Sequence, residues 1–221
     1  MKDPNEKVNG RGIKILKEAG IEVVEHILED ESLHLNKRFV TYHIQKRPYI
    51  FLKWAQTKNG FMDILRSNHD DYLNNYWITN EALRVWSHKL RSEEQAILVG
   101  YNTVKNDKPL LTNRLYGTTQ PKGFVLYNVP KPTMLNKSFS YLTGNLNEIL
   151  EELYTLKIQS LIVEGGKKTL QKFLAANLWD EAFVLSGNVE WVAGVEAPLL
   201  PCIPVSKTNI DNDLIEHYFR K

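Results

Sequence analysis

The chain has 221 residues, 43% of them hydrophobic, which suits a packed domain with an appendage and rules out global disorder. Its 28 Lys and Arg against 26 Asp and Glu leave a net charge of +2, a balance that gives no support to a nucleic-acid or membrane partner. The single cysteine, Cys202, excludes an intramolecular disulfide and thiolate-rich zinc sites.

The first residues, MKDPNEKVNG, are polar and carry no apolar leader, and no run approaches the ~18 apolar residues of a membrane span. A cytoplasmic protein is expected. Residues 1–45 read as an appendage, and residues 46–221 as the main domain. Ile13 to Gly20 has the pattern of a short amphipathic helix stopped by glycine. Ile21 to Val24 alternates like an edge strand, and Glu29 to His43 is polar and helix-tolerant. Tyr49 to Ala55 then reads as a central strand, closed by the turn signal Asn59-Gly60. Residues 61–76 read as a loop over a cleft.

A helix is expected over Thr79–Ser92, with Thr79 or Asn80 as its cap. Leu83, Trp86 and Leu90 give it a buried face, while Arg84, His88 and Arg91 give it a cationic one. Ala96–Val99 is a short buried strand, and Gly100 to Pro109 reads as a polar loop leading toward Arg114. Strands are expected near Phe124–Tyr127, Ser138–Thr143, Leu161–Val163 and Ala182–Leu185, with helices over 147–157 and 169–177. The tail from Ile215 adds an antiparallel edge strand. Helices alternating with strands at this spacing imply an α/β layered domain with mostly parallel pairing.

Two stretches carry chemistry. In Val163-Glu164-Gly165-Gly166-Lys167-Lys168-Thr169, two glycines join a buried strand to a helix. Backbone N–H groups at such a helix start form a phosphate site, although a plain turn is the ordinary use of a lone Gly-Gly pair. Glu164 stands at a strand's carboxyl end, where α/β sheets place ligand contacts. In the other stretch, Arg91 and Arg114 supply planar forks suited to phosphate. Arg91 also suits the helix dipole at its own helix end. The six histidines lack metal-ligand spacing, so metal catalysis is not indicated. From residues alone the chain is an α/β domain that binds something phosphorylated.

Taken together, LKWAQTKNG (52–60), WITNEA (77–82), HKLRSEEQAILVGYNTVKNDKPLLTNR (88–114), LIVEGG (161–166) and LWDE (178–181) resemble the reductase domain of the bifunctional riboflavin-biosynthesis deaminase/reductase. The resemblance implies a three-layer dihydrofolate-reductase-like fold, NADPH as cofactor, and a homodimer. The implied reaction reduces the ribosyl group of 5-amino-6-(5-phosphoribosylamino)uracil to ribityl. By matching position, Ala55, Trp77, Thr103, Asp107, Asn128, Gly166, Lys167, Lys168 and Thr169 would contact the cofactor. Asn75, Arg91, Leu111, Arg114 and Glu164 would contact substrate, with Glu164 and Asp107 as the catalytic pair. Residues 1–45 look like the closing segment of the deaminase domain. The deaminase's zinc motif is absent, so no deaminase activity is expected of this chain, and a deaminase domain would act in cis or in trans.

The chain departs from the family pattern at Asn59, Gly123 and Tyr127, and Asn128 stands where a cofactor-contacting hydroxyl is common. Two alternatives remain open on the sequence: a reductase of a pterin-like imine, and a nucleotide-binding module of the same fold without turnover.

Overall fold

The computed structural model describes residues 2–5, 8–65, 77–128 and 136–220. It divides into two compact units, Met1–Tyr49 with Leu150–Gln159, and Ile50–Ile149 with Ser160–Lys221.

The smaller unit holds helices α1 (Arg11–Glu18), α2 (Glu29–Leu35) and α3 (Lys37–Gln45). Gly20 has φ 77 just past α1, the left-handed stop expected of it. Residues 21–24 form no strand: Ile21 and Val24 are 52% and 69% exposed, and a lone extended segment has no ladder to stabilise it. Tyr42 anchors the unit's packing, its hydroxyl donating to Tyr154 O at 3.1 Å.

In the larger unit an eight-stranded sheet has, among the described residues, the order β5-β4-β3-β6-β1-β7-β10-β9. Its strands are β1 (Tyr49–Thr57), β3 (Ala96–Gly100), β4 (Lys122–Leu126), β5 (Ser140–Leu142), β6 (Ser160–Glu164), β7 (Glu181–Gly187), β9 (Ser206–Ile210) and β10 (Asp213–Phe219). Pairings β3/β4, β3/β6, β4/β5 and β1/β7 are parallel, and β10 is antiparallel to both neighbours. Ile50, Leu52, Ile97, Leu98, Leu161 and Ile162 are fully buried, as expected of strands covered on both faces. Helices α4 (Glu81–Glu93), α5 (Tyr101–Asp107), α6 (Leu146–Thr155) and α7 (Lys167–Ala175) link the parallel strands.

Three expectations need correction. The polar stretch after Gly100 is the helix α5, not a loop; Lys108 in the left-handed region (φ 43) and Pro109 end it. The loop over 61–76 opens as strand β2 (Phe61–Asp63), paired with β8 (Val195–Glu196) in a second small sheet; residues 66–76 lie outside the described residues. The tail strand β10 is not the edge, because the exposed, polar β9 covers its far side.

The helix α4 forms as its sequence requires. Asn80 caps it, its Oδ1 accepting the Leu83 N–H at 2.8 Å. Leu83 packs with Leu185 and Ile215, and Trp86 meets Phe183 edge-on. That burial turns the opposite face of α4 along the strand ends.

Candidate active site

From β3 the chain turns through α5 to β4 on one side, whereas β6 leads through α7 to β7 on the other. Adjacent strands whose connections diverge leave a crevice outside their carboxyl ends, the usual ligand position in open α/β sheets. Three adjoining cavities of about 350, 390 and 450 Å³ follow it. The central one shares Thr103, Gly166 and Lys167 with the second, and Lys53, Ala55 and Asp107 with the third.

At the centre lies a buried charge cluster. Glu164 ends β6 and is 9% exposed. Arg91 meets it bidentately, Nε to Oε1 at 3.1 Å and Nη2 to Oε2 at 2.6 Å, and donates Nη1 to Thr112 O at 3.2 Å. Lys53 on β1 lies 3.9 Å from Glu164 Oε2. Burial opposes the charged carboxylate, but Arg91 and then Lys53 outweigh it and hold the Glu164 carboxyl down at about 2. Burial lowers the Lys53 ammonium below its ordinary value, against the attraction of Glu164. The result is a fixed carboxylate beside an amine that gives up its proton more readily than a surface lysine.

Arg91 keeps donors in reserve. A guanidinium has five N–H groups, and the three bonds above leave two for a ligand. Arg114 differs: it is exposed, and its guanidinium reaches Thr112 Oγ1 at 3.5 Å. Both line the third cavity together with Leu111, which is 4% exposed at φ 55. Trp77 lines the same cavity, 60% exposed, with the Arg84 guanidinium 4.5 Å from its ring centroid. A cation on an indole face gains a modest electrostatic attraction.

The other end is built from backbone and lysines. Gly165 has φ 126, a conformation that side chains disfavour, and an added Cβ would lie 3.3 Å from Thr103 Oγ1. Gly166 is the N-cap of α7; the Thr169 N–H donates back to Gly166 O at 3.0 Å, the N–H groups of Lys167 and Lys168 precede the helix ladder, and all four residues line the second cavity. Lys167, Lys168, Thr169 and Asn128 line it, and Lys172 Nζ lies 3.5 Å from Asn128 Oδ1. Backbone donors, a dipole's positive end and surrounding lysines suit the phosphates of a dinucleotide. The residues present therefore fit such a group.

Of the residues singled out in the sequence, Ala55, Thr103, Asp107, Leu111, Glu164, Gly166 and both arginines come together along this crevice, while Asn75 lies outside the described residues. Lys53 was missed. Its signal was a lysine inside the apolar run YIFLKWA, where a charge needs a partner to stay buried. The departures from the family pattern are partly explained. Asn59 ties its turn to the Trp191 backbone, and Gly123 packs so closely under Phe139 that a Cβ would stand 2.7 Å from the ring. Tyr127 and Asn128 line the second cavity.

The family model described as the RibD C-terminal domain matches residues 48–188. The chain belongs to the RibD C-terminal domain family. A riboflavin biosynthesis protein RibD of Aquifex aeolicus is 37% identical over 212 residues, covering 82% of this chain and 58% of that protein. The chain thus spans less than two thirds of that relative's length. The RibD structure of Acinetobacter baumannii superposes with a TM-score of 0.84 at 23% identity, over all of this chain and 71% of the other. A Thermotoga maritima diaminohydroxyphosphoribosylaminopyrimidine deaminase/5-amino-6-(5-phosphoribosylamino)uracil reductase superposes at 0.82 with 26% identity, over 98% and 69%. Dihydrofolate reductase of Enterococcus faecalis, complexed with NADP(H), shares the fold at 0.54 and 14% identity, over 78% of this chain and 96% of that one. The expected RibD reductase resemblance and dihydrofolate-reductase-like architecture are both borne out.

Proposed function

We propose that this chain reduces the ribosyl group of 5-amino-6-(5-phosphoribosylamino)uracil to ribityl with NADPH, in riboflavin biosynthesis. The observation that carries this reading is the Arg91–Glu164–Lys53 cluster, set between a backbone-lined anion site and the exposed Arg114. Gly166, Lys167, Lys168 and Thr169 at the start of α7 would hold the phosphates of NADPH, with Asn128, Thr103 and Asp107 as further contacts. Ala55 and Trp77 would contact its nicotinamide part. Substrate takes the third cavity, its phosphate on Arg114 and the two spare N–H groups of Arg91, with Leu111 in the lining; Asn75, outside the described residues, is a further substrate contact by matching position only.

When bound, NADPH supplies a hydride to C1 of the sugar. The chain's own groups prepare that carbon. Lys53 gives a proton to the sugar's ring oxygen as the C1–O bond breaks, which leaves a C1–N iminium and a new hydroxyl. Glu164, ionised throughout the working pH range, stabilises the positive charge of that iminium. Asp107 lines the central and the third cavity and orients the sugar where they adjoin.

Purified chain, NADPH and the deaminated pyrimidine should yield a product heavier by two hydrogen atoms, detected by mass spectrometry. NADPH binding without that product would favour a module that kept the fold and lost turnover. A non-phosphorylated imine substrate would leave Arg114 without a ligand, which argues against the pterin-like alternative.

The same reading makes residues 1–45 a remnant of a deaminase domain and residues 46–221 the reductase domain. It makes the protein a cytoplasmic homodimer that relies on a deaminase in cis or in trans. Among the described residues no helix is long and apolar enough to cross a membrane, and no cluster of His, Cys, Asp and Glu is arranged to hold a metal ion.

A further inference from the structure

The guanidinium of Arg114 is exposed, but its backbone is pinned. The Arg114 N–H donates to Nδ1 of His88 at 2.9 Å, and His88 is 6% exposed on α4. Three residues further along the same helix stands Arg91. Of the arginines lining the third cavity, Arg91 is therefore fixed by α4 directly and Arg114 through an imidazole.

The cavity that His88 lines is mostly cationic. Arg84 and Arg91 come from the same helix as His88, Lys53 from β1, and Arg114 and Lys108 from the segment after α5, with Asp107 as the acidic lining residue; Arg91, Arg114 and Glu164 are the charges that act on the imidazole itself. A ring nitrogen that accepts a backbone N–H must be unprotonated, which places the ring's proton on Nε2. Protonating Nδ1 would set one N–H against another and add a positive charge to an already cationic cavity.

We propose that His88 is a positioning residue for the substrate: its Nδ1 fixes the backbone at Arg114, so that the guanidinium meets the substrate's phosphate. This rests on the reading of that cavity as the phosphate end of the crevice. Burial first, then the charges of Arg91 and Arg114, push His88 below the ordinary histidine value, against Asn113 and Glu164, so the accepting form holds at neutral pH. A side chain that merely filled space at this position would need no acceptor, and the geometry separates the two roles. Leucine fills the space without accepting, whereas glutamine can accept through its side-chain oxygen.

The test compares wild type, His88→Gln, His88→Leu and Arg114→Ala. Dissociation constants are measured for ribose 5-phosphate and for NADPH, neither of which requires turnover. His88→Leu should bind ribose 5-phosphate about fivefold to tenfold more weakly, the effect of one lost hydrogen bond. His88→Gln should bind it like wild type, and NADPH affinity should be unchanged in both. Exchange protection of the Arg114 amide should fall in wild type as pH drops below the ordinary histidine value of 6.5, and should stay flat in His88→Gln. Equal ribose 5-phosphate affinity in His88→Leu and wild type would overturn the proposal, as would equal losses for both ligands or no rescue by glutamine. Should the leucine variant fail to fold, the glutamine variant and the pH dependence of the Arg114 amide decide the matter alone. Loss in Arg114→Ala without loss in His88→Leu sinks this inference and leaves the function standing. Failure of wild type to bind ribose 5-phosphate would sink both.

Discussion

The centre of the crevice and its Gly166 end present charge by opposite means. Around Glu164 the charges are side chains, buried and paired: Arg91 grips the carboxylate with two bonds and Lys53 stands behind it. Around Gly166 the donors are backbone N–H groups at a helix start, with lysines such as Lys172 reaching in from outside. A buried ion pair is costly to form and more costly to break, whereas a helix terminus binds anions with no charge to desolvate beforehand. The first arrangement suits a site that must present fixed charges to a reacting centre. The second suits a grip on a cofactor that enters and leaves each cycle.

That contrast can be broken at either end. The largest effect is expected from Glu164→Ala, which strands Arg91 and Lys53. Urea unfolding should show a loss of about 3 kcal/mol or more, and NADPH oxidation should nearly cease. A variant as stable as wild type would mean that the cluster is not held by its carboxylate. The same group sets an acid limit. Its folded value of about 2 lies below its ordinary 4.5, so its stabilisation is full above pH 4.5 and is lost as pH falls toward 2. Glu164→Gln should flatten the acid-unfolding curve in that window, and an unchanged curve would contradict the assignment.

Next in size, Arg114→Ala should weaken binding of the phosphorylated substrate by about 2 kcal/mol, roughly thirtyfold, with NADPH affinity unchanged. Comparable losses for both ligands would erase the division of labour. Gly165→Ala tests the opposite end: forcing a side chain to φ 126 and against Thr103 costs about 1–3 kcal/mol. It should weaken NADPH while sparing ribose 5-phosphate. The smallest change, about twofold to fivefold in NADPH affinity, is expected from Lys172→Ala, because its charge is exposed and screened.

How legible each end was in the sequence follows from the same physics. Apolar runs such as Ala96–Val99 and Leu161–Val163 can only be buried strands beside their flanking helices, and the cap at Asn80 marks the start of α4 without help from tertiary structure. Arg91, Arg114, Glu164 and the Gly-Gly turn stood out because each is polar where the chain turns at a strand or helix end. Helix α5 was hidden. YNTVKND is rich in poor helix formers, and its helix is settled by packing on β3 and β4 that no local pattern reveals. Strands β8 and β9 were hidden for a related reason: one is two residues long, and the other is polar and exposed at a sheet edge. Lys53 is hard to read from sequence because an apolar strand pattern accommodates one lysine, while the electrostatics of burial do not without a partner. The pairing of His88 with Arg114 joins residues 26 positions apart, and nothing short of the fold announces it.

The most direct measurement is NADPH oxidation by the purified chain with the phosphorylated pyrimidine and with its dephosphorylated counterpart. Turnover with the first, and a much higher KM with the second that Arg114→Ala no longer distinguishes, is the expected result. Equal rates with both substrates, or no oxidation with either, would contradict the assignment of this crevice to a phosphoribosyl reductase.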